Sequence, residues 1–196
     1  MYSTRSGLVL GFHGCDESIV EDILLGKRQL KESKNDYDWL GHGIYFWENS
    51  LSRAWEYAKK NKKKPAVIGC ALDLGHCLDL VDYQNLTYVK EAYEILVETI
   101  RLSGFELPQN RTGKNSGTDL VVRRLDCAVI QTLHQARETN GQKEFDSVRG
   151  VFWEGEDLYP GAGFKEKNHI QICVRNPNCI KGLFLPRELD RLFAPV

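Results

Sequence analysis

Hydrophobic and polar positions along this chain change period several times, and each change marks an element. Leu8-Val9-Leu10-Gly11-Phe12-His13-Gly14-Cys15 is apolar up to a polar, glycine-containing tip, which predicts a first strand. Asp16-Glu17-Ser18 then offers N-cap oxygens to a helix with Ile19, Val20, Ile23, Leu24 and Leu25 on its apolar face and Gly26 as C-cap. Ile44-Tyr45-Phe46-Trp47 is a dense β-prone run. Alternation sends Ile44 and Phe46 to one face of that strand and Tyr45 and Trp47 to the other. Glu48-Asn49-Ser50 caps a helix from Leu51 to about Lys60, which carries Ala54, Trp55, Tyr57 and Ala58.

The second half continues in the same manner. Ala66 to Leu74 reads as a central strand and Cys77 to Leu80 as a short one. Leu86 to about Ser103 has helical spacing, as does Asp119 to about Glu138. Gly104 to Gly117, rich in Gly, Pro and Asn, is expected to be a flexible surface loop between them. Ser147 to Trp153 is a strand candidate, and Glu154 to Phe164 a loop with three acids and three glycines. In the strand His169 to Arg175, Ile170, Ile172 and Val174 face one way, and His169, Gln171, Cys173 and Arg175 the other. Asn176-Pro177-Asn178 is a turn into a last strand, Cys179 to Leu185. Strands and helices together give an α+β chain, with residues 1–196 read as one domain.

Composition narrows the class. With 196 residues, 42% hydrophobic and 27% charged, the chain can bury a sizeable core. A net charge of −1 provides no global field for nucleic acid or anionic membranes. The six cysteines form no CxxC pair and no Cys/His cluster, so no metal site is expected, and dispersed thiols suit a reducing cytosol. The apolar run Leu8 to Leu10 is too short for a signal-peptide core or a membrane span, and the expected location is cytoplasmic, away from membranes. The run from Lys59 to Lys64 has two readings, a solvated helix C-cap or a phosphate-contacting patch, and Arg123-Arg124 reads as a solvated face.

Three separated pieces then line up. They are a strand ending in His13-Gly14, a Gly-x-Gly-Ile-Tyr-Phe strand at Gly41 to Phe46, and a late strand with polar residues among alternating apolars. This order resembles the catalytic core of the ADP-ribosyltransferases of the poly(ADP-ribose) polymerase and diphtheria-toxin type, the His-Tyr-Glu clade. The resemblance implies a single transferase domain with split mixed and antiparallel sheets packed with flanking helices, and NAD as co-substrate. It implies that His13 and Gly14 hold NAD, that Tyr45 stacks on the nicotinamide, and that Tyr57, in Ala54-Trp55-Glu56-Tyr57-Ala58, forms the other wall.

One position departs from that pattern. Gln171 falls where the family has its ribose-binding glutamate. A glutamine can hydrogen-bond a hydroxyl, but it has no charge to stabilise an oxocarbenium ion and cannot act as a base. The resemblance therefore implies transfer of a single ADP-ribose unit, with an acid supplied, if at all, by Glu154, Glu156, Asp157 or Glu166. The acceptor is left open between protein and nucleic acid (RNA or DNA). The compact chain is similar to bacterial toxin-type transferases of toxin–antitoxin or antiphage systems, which brings in a neutralising antitoxin as partner. Two rival readings are a catalytically inactive NAD- or ADP-ribose-binding module and an NAD glycohydrolase.

Overall fold

A computed structural model describes residues 7–113 and 119–194. Residues 1–6, and the part of the predicted Gly104 to Gly117 loop from 114 to 117, lie outside the described residues. Nine strands and four helices follow one another as β1 (Val9–Asp16), α1 (Val20–Leu24), β2 (Ile44–Glu48), α2 (Leu51–Asn61), β3 (Pro65–Leu72), β4 (Cys77–Asp79), α3 (Leu86–Ser103), β5 (Asn110–Arg111), β6 (Val122–Arg123), α4 (Arg124–Thr139), β7 (Ser147–Phe152), β8 (His169–Val174) and β9 (Ile180–Phe184) among the described residues. Seven strands form one mixed sheet in the order β4-β7-β8-β2-β1-β3-β9, and β5 and β6 form a small antiparallel ribbon. The β4–β7 pair is parallel and the other neighbours are antiparallel. The α+β class holds.

The period-2 pattern sorts the side chains as expected. Ile44 and Phe46 enter a core with Cys15, Ile68, Cys70, Leu72, Ile172 and Val174 on one face of the sheet. The opposite face divides between two clusters. In one, α2 packs Ala54 and Ala58 against Phe12, Trp47 and Val67. In the other, Val129, Ile130 and Leu133 of α4 and Ala92 of α3 meet Leu40, Val148 and Cys173, with Tyr45 at the margin. Tyr45, Trp47, Gln171 and Cys173 thus share the helix-covered face, along the seam between α2 and α4.

Several predicted elements shift. The helix expected after Asp16 begins as a 3-10 turn, Glu17–Ile19, whose cap is Asp16, and α1 itself spans five residues. Gly26 lies at φ +70° behind it, the left-handed geometry that glycine tolerates. The helix expected from Asp119 starts five residues later. Asn110 Oδ1 accepts from the amides of Leu125 (3.0 Å) and Asp126 (3.3 Å), so a distant side chain caps α4. Val122 and Arg123 instead pair with Asn110 and Arg111, which also gives structure to part of the predicted loop. Arg123 is no solvated cation: its guanidinium lies over Phe152 (4.5 Å) and Trp39 (5.3 Å). All six cysteines are buried and free. No helix among the described residues is long and apolar enough to cross a membrane.

Candidate functional site

The His13-Gly14 step coincides with an opening in the sheet. β1 pairs with β3 along its whole length, from Val9↔Leu72 to Asp16↔Pro65. Against β2 it pairs at Gly11↔Glu48 and Phe12↔Trp47 alone. Beyond that point the ladder stops, and the His13 imidazole bridges the gap with Nδ1 2.8 Å from the Tyr45 carbonyl oxygen. A carbonyl only accepts, so Nδ1 carries the proton and Nε2 keeps a lone pair. Burial lowers the pKa of His13, more than the Tyr45 bond raises it, so the ring is neutral near pH 7. By alternation the ring lies on the face of the first core, tilted against Phe46 with centroids 5.7 Å apart.

Gly14 points to the other face, under α2. A Cβ there would meet the Ala54 carbonyl oxygen at 2.7 Å and Tyr57 Cδ1 at 3.0 Å, so only glycine lets helix and strand approach this closely. Gly14 and Tyr57 are therefore adjacent. The Tyr45 hydroxyl donates to the Gly41 carbonyl (2.7 Å) and accepts from the Leu40 amide (3.0 Å), which draws the ring toward the α4 cluster. Trp47 packs against Tyr57, with centroids 5.0 Å apart.

Gln171 stands directly across the ladder from Trp47 and diagonal to Tyr45. Its carbonyl oxygen accepts from the Trp39 indole N–H at 2.6 Å, and because an indole can only donate, this fixes the amide orientation. Of the loop acids, Glu154 is tied to α2 through Arg53 Nη2 at 2.5 Å. Glu156 and Glu166 are exposed and meet through the main chain, Glu166 N to Glu156 O. Asp157 pairs with Lys165 at 2.8 Å.

Comparison with known proteins adds one relative. The chain is 28% identical over 195 residues to an uncharacterized protein of Methanocaldococcus jannaschii, covering 88% of this chain and 84% of the archaeal one. No family model matches, and no solved structure matches.

The structure also brings forward residues that the motifs did not. Asp38, 9% exposed, accepts from the Asn35 amide at 2.8 Å, and its charge helps to raise the pKa of both Tyr45 and Tyr57, in each case after the larger effect of burial. An aromatic belt runs across the helix-covered face from Trp39 through Phe152 and His169 to Trp47 and Tyr57, with neighbouring centroids 5.0–6.4 Å apart. The aromatic content of Asp36 to Trp47 was the signal for Trp39 and Trp47. Nothing in the local pattern marked His169 or Asp38. On the opposite face, Arg149 holds Glu48 in a two-pronged pair (2.5 and 2.9 Å) and Asp79 at 3.0 Å, a buried ion cluster across β7, β2 and β4. Surface depressions of about 470 Å³ along Ser52, Trp55, Glu56 and Lys59, and of about 190 Å³ between α3 and α4, touch none of His13, Gly14, Tyr45, Tyr57 or Gln171.

Proposed function

We propose that this protein is an NAD-dependent mono-ADP-ribosyltransferase that transfers one ADP-ribose unit to a macromolecular acceptor. The observation that supports it best is the meeting of two motifs 32 residues apart. At the point where the β1–β2 ladder opens, His13 reaches the Tyr45 carbonyl, and Gly14 lies against Tyr57. An opened ladder leaves strand-edge amides and carbonyls free to bind a planar carboxamide. Neutral His13, through Nε2, would accept a hydroxyl proton from one ribose, and Gln171 would bond a hydroxyl of the other. Tyr57 and Trp47 supply the stacking surface. Cleavage of the nicotinamide–ribose bond then depends on orienting a good leaving group and presenting the acceptor to the opposite face of the anomeric carbon. In this reading the acceptor is protein or nucleic acid, the setting is a cytoplasmic toxin of a toxin–antitoxin or antiphage system, and an antitoxin is the regulatory partner.

The test uses purified protein, labelled NAD and a cell lysate, split by protease and by nuclease. Label lost with protease identifies a protein acceptor, and label lost with nuclease a nucleic-acid acceptor. NAD left intact with no label transferred overturns the reading. A second reading, a binding module that holds NAD or ADP-ribose without consuming it, is favoured by the engagement of Gln171 with Trp39 and the absence of a carboxylate at that position. Binding of NAD without turnover would select it. Free ADP-ribose as sole product would select a glycohydrolase.

A further inference from the structure

Among the described residues, five buried side-chain polar atoms have no hydrogen-bond partner: Trp47 Nε1, Arg53 Nε, both ring nitrogens of His134, and His169 Nε2. His134 lies apart, against Phe145. The other three belong to one neighbourhood at the end of β2, the start of β8 and the first turns of α2. Trp47 and His169 are 6% and 7% exposed, with ring centroids 6.4 Å apart. Arg53 sits one helical turn before Tyr57, on the side of α2 that meets Trp47. Its charge, with those of Glu154 and Glu56, acts on His169. A native core rarely leaves such groups unpaired without a reason, because each unpaired group forfeits its hydration.

Their roles are fixed by their other bonds. His169 Nδ1 lies 2.7 Å from the Lys167 carbonyl and so must donate, which leaves Nε2 as a lone-pair acceptor. The indole N–H of Trp47 can only donate. The neighbourhood therefore offers a donor and an acceptor in nearly dry aromatic surroundings. An anion would meet the His169 lone pair and find both terminal nitrogens of Arg53 already paired with Glu154 and Glu56. A cation would meet the indole N–H. A hydroxyl both accepts and donates through one atom, which suits the pair. The bordering Tyr57, 40% exposed, gives a ring face for sugar C–H groups and the side from which a ligand would enter.

We infer that Trp47 and His169 form a receptor for one hydroxyl group of a bound sugar, the indole N–H donating to its oxygen and His169 Nε2 accepting its proton, with Arg53 Nε–H as an adjacent donor. The receptor does not require NAD: a hydroxyl of any ribofuranoside satisfies it. The rival source of a hydroxyl is a trapped water.

The experiment is an NMR titration of the full chain, following the Trp47 indole N–H and the His169 ring nitrogens, with methyl β-D-ribofuranoside and, separately, ADP-ribose as probes. Both groups are expected to shift together with the riboside. Trp47→Phe and His169→Phe, which keep the stacking, should each weaken its binding about tenfold while far-ultraviolet dichroism stays unchanged. The wild-type titration needs no variant, so a variant that misfolds does not decide the matter. Failure of both probes to move either group leaves a water as the hydroxyl source and overturns the inference. Riboside binding with those shifts, but no use of NAD, keeps the receptor and sinks the transferase reading. ADP-ribose binding that leaves Trp47 and His169 unmoved does the reverse.

Discussion

His13 Nδ1 and the main-chain oxygen of Tyr45 lie 2.8 Å apart across the point where β1 and β2 cease to pair. One side chain thus holds the opening in the sheet and directs its second nitrogen away from that bond. His13→Ala removes the bridge and the Nε2 lone pair together. NAD binding, read by calorimetry, should fall about tenfold or more in a protein that still folds. Tyr45→Phe keeps the carbonyl and the bridge but loses the hydroxyl bonds to Leu40 and Gly41. It should cost about 1–2 kcal/mol of stability by denaturant unfolding and leave NAD affinity nearer to wild type. Unchanged affinity in His13→Ala would remove His13 from the site.

Gln171 presents a neutral amide where a developing positive charge needs an anion. Gln171→Glu keeps the length of the side chain and still accepts from the Trp39 indole, now as a charge-assisted bond. If the nicotinamide ribose binds against this residue, the variant should consume NAD about tenfold faster or more, because a carboxylate there stabilises the oxocarbenium ion. Nicotinamide release over time is the measurement. A rate that stays at or below wild type would place the anomeric carbon elsewhere.

How much of this was legible in the sequence depended on the range of the interactions involved. The faces of β2 and β8 followed from alternation alone, because burial of Ile44, Phe46, Ile172 and Val174 fixes the register. The start of α4 did not, because its cap, Asn110, lies 15 residues from Leu125. The contact of Tyr57 with Trp47 was equally hidden, because it joins α2 to β2 through tertiary packing. Tyr45 and Trp47 share a face of β2, and the Tyr45 hydroxyl is engaged by the turn before the strand. Arg123 read as a surface cation because its aromatic partners, Trp39 and Phe152, are remote in the chain.

Arg149, 4% exposed, is the hub of the ion cluster with Glu48 and Asp79. Removing one partner of a buried pair leaves the other charges desolvated. Arg149→Ala should therefore destabilise the fold by about 3–5 kcal/mol, measured by urea unfolding at pH 7. Arg149→Met combined with Glu48→Gln should recover part of that loss, since it removes opposite charges together. Equal losses in the two proteins would show that neither restored bulk nor removal of the opposite charge offsets the lost guanidinium hydrogen bonds.

His134 in α4 is 6% exposed, neither of its ring nitrogens has a partner among the described residues, and burial, with the nearby charges of Arg175 and Arg137, pushes its pKa down to about 3. The ring of Phe145 beside it offers no acceptor. A folded pKa below the unfolded value of about 6.5 means that the unfolded chain binds the proton more readily once the pH drops under 6.5. Stability associated with this group is thus fully present above pH 6.5 and declines as the pH falls toward 3. At pH 5 the loss is about 2 kcal/mol. His13 and His169, both lowered mainly by burial, add to the decline with the same sign, and Asp146, also lowered, adds to it only in stronger acid. His134→Leu keeps an apolar side chain of similar bulk against Phe145 and removes the proton-binding site. Urea unfolding from pH 7.5 to pH 5 should show a shallower loss in the variant than in the wild type. The two should differ at pH 5 by about 2 kcal/mol more than at pH 7.5. Parallel pH profiles would mean that His134 is not held neutral in the folded protein.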